Sequence, residues 1–136
     1  MSDASCVLDA SALLAFLLKE PGGDAIARAL EDGAAMSAVN WAEVLSKVAE
    51  TGGDPDAIAA QLEREGLLGD ALHIVPLTAA DGPAIARLRP ATREYGLGLG
   101  DRACLALAER LGLPALTMDR AWAKLDLGVT VELARP

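Results

Sequence analysis

Five short apolar runs punctuate the chain, and longer stretches with apolar residues at helical spacing fill the gaps between them. Cys6-Val7-Leu8, Ala34-Ala35-Met36, His73-Ile74-Val75, Ala115-Leu116-Thr117 and Val129-Thr130-Val131 read as strands, the second being the weakest. Pro76 closes the third, Pro114 opens the fourth and Gly128 opens the fifth. Brief apolar runs bounded by such residues suit buried parallel strands.

The helical stretches are clearer. Ser11 to Leu18 is almost wholly apolar and stops before Pro21, and Asp24 to Glu31 carries Ile26, Ala27 and Leu30 and ends at Gly33. From Ala38 onward, Trp41, Ala42, Leu45, Val48 and Ala49 form a stripe that Gly52-Gly53 ends. Pro55 opens a helix with Ile58 and Leu62 one turn apart. Ala79 to Leu88 follows Thr78 as cap and ends before Pro90. Arg102 to Leu111 is apolar on most faces and must be buried, with Gly112 as its stop, and a short helix from Arg120 to Leu125 precedes the last strand. This alternation predicts a three-layer α/β/α sandwich around a mostly parallel five-stranded sheet. Ligands in such sheets bind beyond the carboxyl ends of the strands.

Composition narrows the class. At 136 residues the chain is expected to be one domain, residues 1–136, and its 52% apolar content excludes disorder as the main state. Phe16, Trp41, Tyr95 and Trp122 are its aromatic residues, so the core is built from Ala, Leu, Val and Ile. Cys6 and Cys104 stand far apart without metal-ligand neighbours, which suits a reducing cytoplasm better than a disulfide framework or zinc site. The longest apolar run, Ala12 to Leu18, is too short to span a bilayer, and its acidic flank is unlike a secretory signal; no membrane partner is expected. A net charge of -8 argues against non-specific nucleic-acid binding. It leaves room for a basic protein partner, or for an enzyme whose carboxylates cluster around metal ions.

The strand ends supply the chemistry. Asp9 follows the first strand and Asp119 the fourth; Glu43 lies in the helix after the second strand, and Asp101 starts the helix leading to the fourth. Each also reads as a helix cap, and Asn40-x-x-Glu43 as a capping box. Parallel strands, however, bring all of them to one end of one sheet, where like charges repel and raise each other's pKa unless cations sit among them. Oxygen-only donors select hard ions, Mg2+ or Mn2+. Ser11, Asn40 and Thr117 are placed to hydrogen-bond the carboxylates or a bound water. Such a site points to metal-activated water attacking a phosphodiester. His73, in a strand expected to be buried, lacks the partners that general-base work needs.

Val7-Leu8-Asp9-Ala10-Ser11-Ala12 resembles the opening of PIN domains. Asn40-x-x-Glu43, Leu99-Gly100-Asp101-Arg102-Ala103-Cys104 and Leu116-Thr117-Met118-Asp119-Arg120 resemble their second, third and fourth acidic positions, in order across nearly the whole chain. Length and spacing are similar to those of VapC-type toxins of bacterial toxin–antitoxin pairs. The resemblance implies a PIN-like fold, a Mg2+- or Mn2+-dependent endoribonuclease with RNA as substrate, a homodimer and a cognate antitoxin. It implies Asp9, Glu43, Asp101 and Asp119 as the metal-binding acids, with Ser11, Asn40 and Thr117 in support. Asp126 reads better as a solvated turn residue.

Other residues keep two readings. Arg102 and Arg120 adjoin site acids and could reach RNA phosphates or pair with carboxylates. Arg87, Arg89 and Arg93 read as a solvated, helix-ending run rather than an RNA-guiding rim. Trp41 fits core or dimer packing, and Trp122 either packs on the sheet or edges the cleft. The segment Thr51 to Gly69 is either core cover or the wall of a groove for a partner helix. The alternative to an enzyme is a non-catalytic binding module of the same fold, with its acids kept as caps. A phosphatase with an Asp nucleophile ranks last, because Asp9-Ala10-Ser11 lacks the second Asp of the usual pattern.

Overall fold

The computed structural model describes residues 3–135. Strand β1 (Cys6–Leu8) leads into α1 (Ala10–Leu17) and α2 (Gly23–Asp32), and β2 (Ala34–Ser37) into α3 (Ala38–Glu50) and α4 (Pro55–Arg64). Strand β3 (Leu72–Val75) is followed by α5 (Gly82–Arg87), α6 (Arg89–Thr92) and α7 (Leu99–Leu111). Strand β4 (Ala115–Thr117) reaches β5 (Val131–Leu133) through a 3-10 turn, Arg120–Lys124. The five strands pair in parallel in the order β3-β2-β1-β4-β5, the sheet the sequence predicts.

That order follows from the connections. The chain steps outward from β1 to β2 to β3, then returns to lay β4 on the other side of β1. With right-handed crossovers, the first two connections cover one face and the third covers the other. Side chains of a strand alternate between faces, and the cores divide accordingly. Val7, Ala35 and Ala115 pack with α7, Ile85 and the fully buried Trp122. Cys6, Leu8, Ala34, Met36 and Leu116 pack with Leu13, Ile26, Leu30 and Val44 from α1, α2 and α3. Helix α7 is buried from Ala103 to Ala108, as its near-continuous apolar sequence requires. The direction of winding reverses between β1 and β4, so the crevice beyond their carboxyl ends is where a ligand site is expected.

Several elements differ from expectation. Strand β5 lies two residues later than Val129–Val131, because Val131 is the residue in register with Ala115 at the start of β4. The single helix expected over Ala79–Leu88 is a 3-10 turn (Ala79–Asp81) followed by α5, and the chain turns helical again through Pro90. Pro83 and Pro90 each occupy a first helical turn, where the missing N–H has no partner to lose. His73 is exposed, on an edge strand rather than a buried one. On α3 the deeply buried residues are Asn40 and Val44, while Trp41, Leu45 and Val48 of the apolar stripe are half-buried. Trp122 belongs to the core. Among the described residues no helix is long and apolar enough to cross a membrane.

The α1–α2 turn depends on a glycine. Gly22 has φ +95, and a Cβ there would stand 2.7 Å from the Ala134 carbonyl oxygen and 2.9 Å from the Met118 methyl. Gly52 has φ +92 but nothing within 4 Å of its Cβ position. Gly52→Ala should therefore cost about 1 kcal/mol of unfolding free energy from backbone strain alone, and Gly22→Ala at least about 2 kcal/mol from strain plus collision, as read by urea denaturation.

Candidate active site

Asp9 leaves β1 and caps α1 with its side chain. It is 4% exposed. Its Oδ1 accepts from the Ala12 N–H at 2.8 Å and the Ser11 hydroxyl at 2.7 Å, and its Oδ2 accepts from the Thr117 hydroxyl at 2.5 Å. Thr117 ends β4, and its Oγ1 accepts from the Asp119 N–H at 3.0 Å. Ser11 Oγ accepts from the Met118 N–H at 3.0 Å. One carboxylate and two hydroxyls thus stitch the ends of β1 and β4 together at the winding reversal.

Glu43 and Asp101 arrive from helices α3 and α7, and Asp119 follows β4. Asp119 caps the following 3-10 turn by accepting from the Ala121 N–H at 2.9 Å, and its side chain is exposed. Asp101 does not precede its helix. Helix α7 begins at Leu99 with Gly98 as its cap residue, and the Asp101 carboxylate, inside the first turn, accepts from the Gly98 N–H at 3.0 Å. Nor is Asn40 a cap. Ser37 caps α3 by accepting from the Val39 N–H at 3.2 Å. Asn40 is instead a buried residue of α3 whose Nδ2 donates to Glu43 Oε1 at 2.8 Å and to the Gly100 carbonyl at 3.0 Å. The sequence held no signal for that second bond, which spans 60 positions.

Electrostatics tie these acids together. Burial pushes the Asp9 carboxyl up to about 6, against the hydrogen bonds from Thr117, Ser11 and the Ala12 N–H, and the Asp101 charge adds to the rise. Asp101 is also raised, first by burial, against the Gly98 N–H, and then by the charges of Glu43 and Asp119. Cys104, buried beneath them, has its thiol raised by burial and then by Asp9, Asp101 and Glu43. The four acids therefore share one field. As they stand, no three His, Cys, Asp or Glu side chains among the described residues are close enough together to hold a metal ion. The acids feel one another's charge, and among the described residues they do not close into a shell.

The arginines divide. Arg102 Nη1 donates to the Ile85 carbonyl at 3.1 Å, tying α7 to the end of α5, and among the described residues it pairs with no carboxylate. Arg120 is exposed beside Asp119. Arg87, Arg89 and Arg93 are exposed on α5, α6 and the turn that follows. Asp126 is exposed beyond the 3-10 turn. His73 lines a hollow of about 640 Å³ with Asp3, Asp32 and Asp70 near the amino ends of the strands, away from the acids. A groove of about 1190 Å³ runs between α1, α2 and α4, lined by Phe16, Leu17, Pro21, Ile58, Leu62 and Leu67.

The family model of the PIN domain matches residues 6–127. The chain belongs to the PIN domain family. This PIN domain is similar in fold to a chain of a toxin–antitoxin complex from Klebsiella pneumoniae, at 21% identity and TM-score 0.67, covering 96% of this chain and 98% of that one. It is similar to a chain of VapBC2 from Rickettsia felis, solved bound to a DNA fragment from its promoter, at 18% identity and TM-score 0.70, covering 93% and 96%. A third similar structure is VapC20 from Mycobacterium tuberculosis, a sarcin–ricin loop cleaving toxin, at 16% identity and TM-score 0.68, covering 90% and 97%. The sequence has no match among curated proteins.

The raised Asp9 carboxyl makes the PIN domain's metal-free stability depend on pH. Its folded value of about 6 lies above the ordinary 3.8, so the protonated form favours the folded state. The stabilisation is fully present below the ordinary value and is lost as pH rises through about 6; Asp101 shifts in the same direction. In chelator, the wild type should lose on the order of 2–3 kcal/mol relative to Asp9→Asn between pH 4 and pH 7, as measured by urea denaturation.

Proposed function

We propose that this PIN domain is a Mg2+- or Mn2+-dependent endoribonuclease and the toxin of a type II toxin–antitoxin pair. The observation that carries the proposal is the electrostatic coupling of Asp9, Glu43, Asp101 and Asp119 at the winding reversal of the sheet. The donors fit a hard divalent ion. All are carboxylate oxygens, with no sulfur or imidazole among them. Their energetics fit as well: burial and mutual repulsion drive Asp9 and Asp101 toward protonation, and a cation reverses that pressure. Asp119 is an exposed side chain that can rotate toward an ion.

A divalent ion held there supplies water activation and neutralises charge building on the phosphodiester. The protein supplies placement. Asp9 is fixed through Ser11, Thr117 and the Ala12 N–H, so its orientation is set before any ligand arrives. Asn40 holds Glu43. The amino end of α7, where the helix dipole favours negative charge, presents Asp101. Arg120 is the cation we assign to an RNA phosphate, since it is exposed beside Asp119 while Arg102 is partly buried and tied through Nη1 to the Ile85 carbonyl. A homodimer and a cytoplasmic site of action belong to the same proposal.

Asp9→Asn and Asp101→Asn keep a side-chain oxygen for the helix contacts but remove the charge. Each should lower Mg2+-dependent cleavage of an RNA pool by roughly a hundred-fold or more while the metal-free fold persists by circular dichroism. Cleavage undiminished in both variants defeats the proposal. A wild type that cleaves no RNA with Mg2+ or Mn2+ favours a non-catalytic binding module.

The groove suits the antitoxin. Its floor is apolar, and Glu20, Asp24 and Glu65 against Lys19 leave its rim net acidic. That combination fits an amphipathic helix with basic flanks. Ile58→Asp places a charge in the groove wall. It should weaken the complex with the product of the adjacent reading frame by about 2 kcal/mol or more in a binding titration.

A further inference from the structure

Gly100 stands in the first turn of α7 although its backbone does not call for glycine. It is absent from the glycines with left-handed φ, and alanine is the better helix former. What excludes a side chain is Glu43. A Cβ on Gly100 would fall 2.5 Å from Glu43 Oε1 and 2.6 Å from both Cδ and Oε2. The Glu43 carboxylate therefore lies directly over the Gly100 Cα.

Asn40 holds it from the other side. At 1% exposure it is among the most buried polar residues, and its Nδ2 spans Glu43 Oε1 at 2.8 Å and the Gly100 carbonyl at 3.0 Å. Turned over, the amide would set Oδ1 against two acceptors, so the orientation is fixed by its partners. Oδ1 itself is buried with no hydrogen-bond partner among the described residues. A poor helix former and an unsatisfied buried acceptor both work against stability. Local costs of this kind collect at functional sites.

We propose that Gly100 and Asn40 are positioning residues for the divalent-ion site: Gly100 leaves the space in which the Glu43 carboxylate lies beside Asp101, and Asn40 locks it there. The proposal rests on the metal-dependent function proposed above. It assigns to Gly100 a role in ion affinity that helix geometry alone does not require.

The probe is Mn2+ alone, titrated by calorimetry into the full chain, with the metal-free melting temperature taken on the same samples. Gly100→Ala should keep or raise that temperature, because the Glu43 side chain can swing aside and alanine favours the helix. It should weaken Mn2+ binding by roughly ten-fold or more. In a Glu43→Gln background the same substitution should change affinity by less than about two-fold, since the group it displaces no longer carries the charge. Equal affinity in wild type and Gly100→Ala, or an equal loss in both backgrounds, overturns the assignment. If Gly100→Ala lowers the metal-free melting temperature, Asn40→Ala decides, since it keeps the glycine and releases the carboxylate; unchanged Mn2+ affinity in that variant overturns the assignment. A wild type that binds no Mn2+ removes the metal-dependent function itself, an outcome distinct from a failure confined to the variants.

Discussion

Asp9 is a carboxylate held out of water between two strand ends that lie far apart in sequence, with Thr117 108 positions away. Burying an unpaired charge is costly. Here the cost is offset by the Ser11 and Thr117 hydroxyls and the Ala12 N–H, and only in part, since the carboxyl stays well above its ordinary range. The hydrogen bonds need β1 and β4 side by side, and that adjacency needs the chain to reverse its winding after β3. Sheet order, the cap of α1 and the geometry of the acids thus depend on one another.

The acidic balance of the chain fits this arrangement. A net charge of -8 would oppose an RNA partner if it were spread evenly. Part of it is gathered at one end of the sheet, where Asp101 feels Glu43 and Asp119, and Asp9 feels Asp101. In the proposed nuclease a bound divalent cation would invert the local field at the surface a phosphodiester would meet. The groove between α1, α2 and α4 is a separate surface, and its acidic rim matches a partner of opposite charge.

Much of the fold was legible because its signals are local. Four of the five strand sites fell on apolar runs bounded by turn residues, and Gly112 stops α7 at the position its sequence indicates. The misplaced pieces were those that local signals do not govern. Strand β5 follows its register with β4 rather than its own most apolar residues. The chain stays helical through Pro90 because that proline falls in a first turn. His73 is exposed because β3 ended at the edge of the sheet, which no feature of the residue itself encodes.

The sequence by itself determined the alternation of strands and helices, the order of the four acids along the chain and the kind of donor they offer. These follow from periodicity, turn chemistry and residue type, all of which act over a few positions. Tertiary structure decided which oxygens meet. It made Asn40 a bridge to Gly100 instead of a cap, set Asp101 inside its helix, turned Arg102 toward Ile85 and coupled the acids without closing them into a shell. Hydrogen bonds between distant elements have no period along the chain, and only the packed sheet brings their partners within reach.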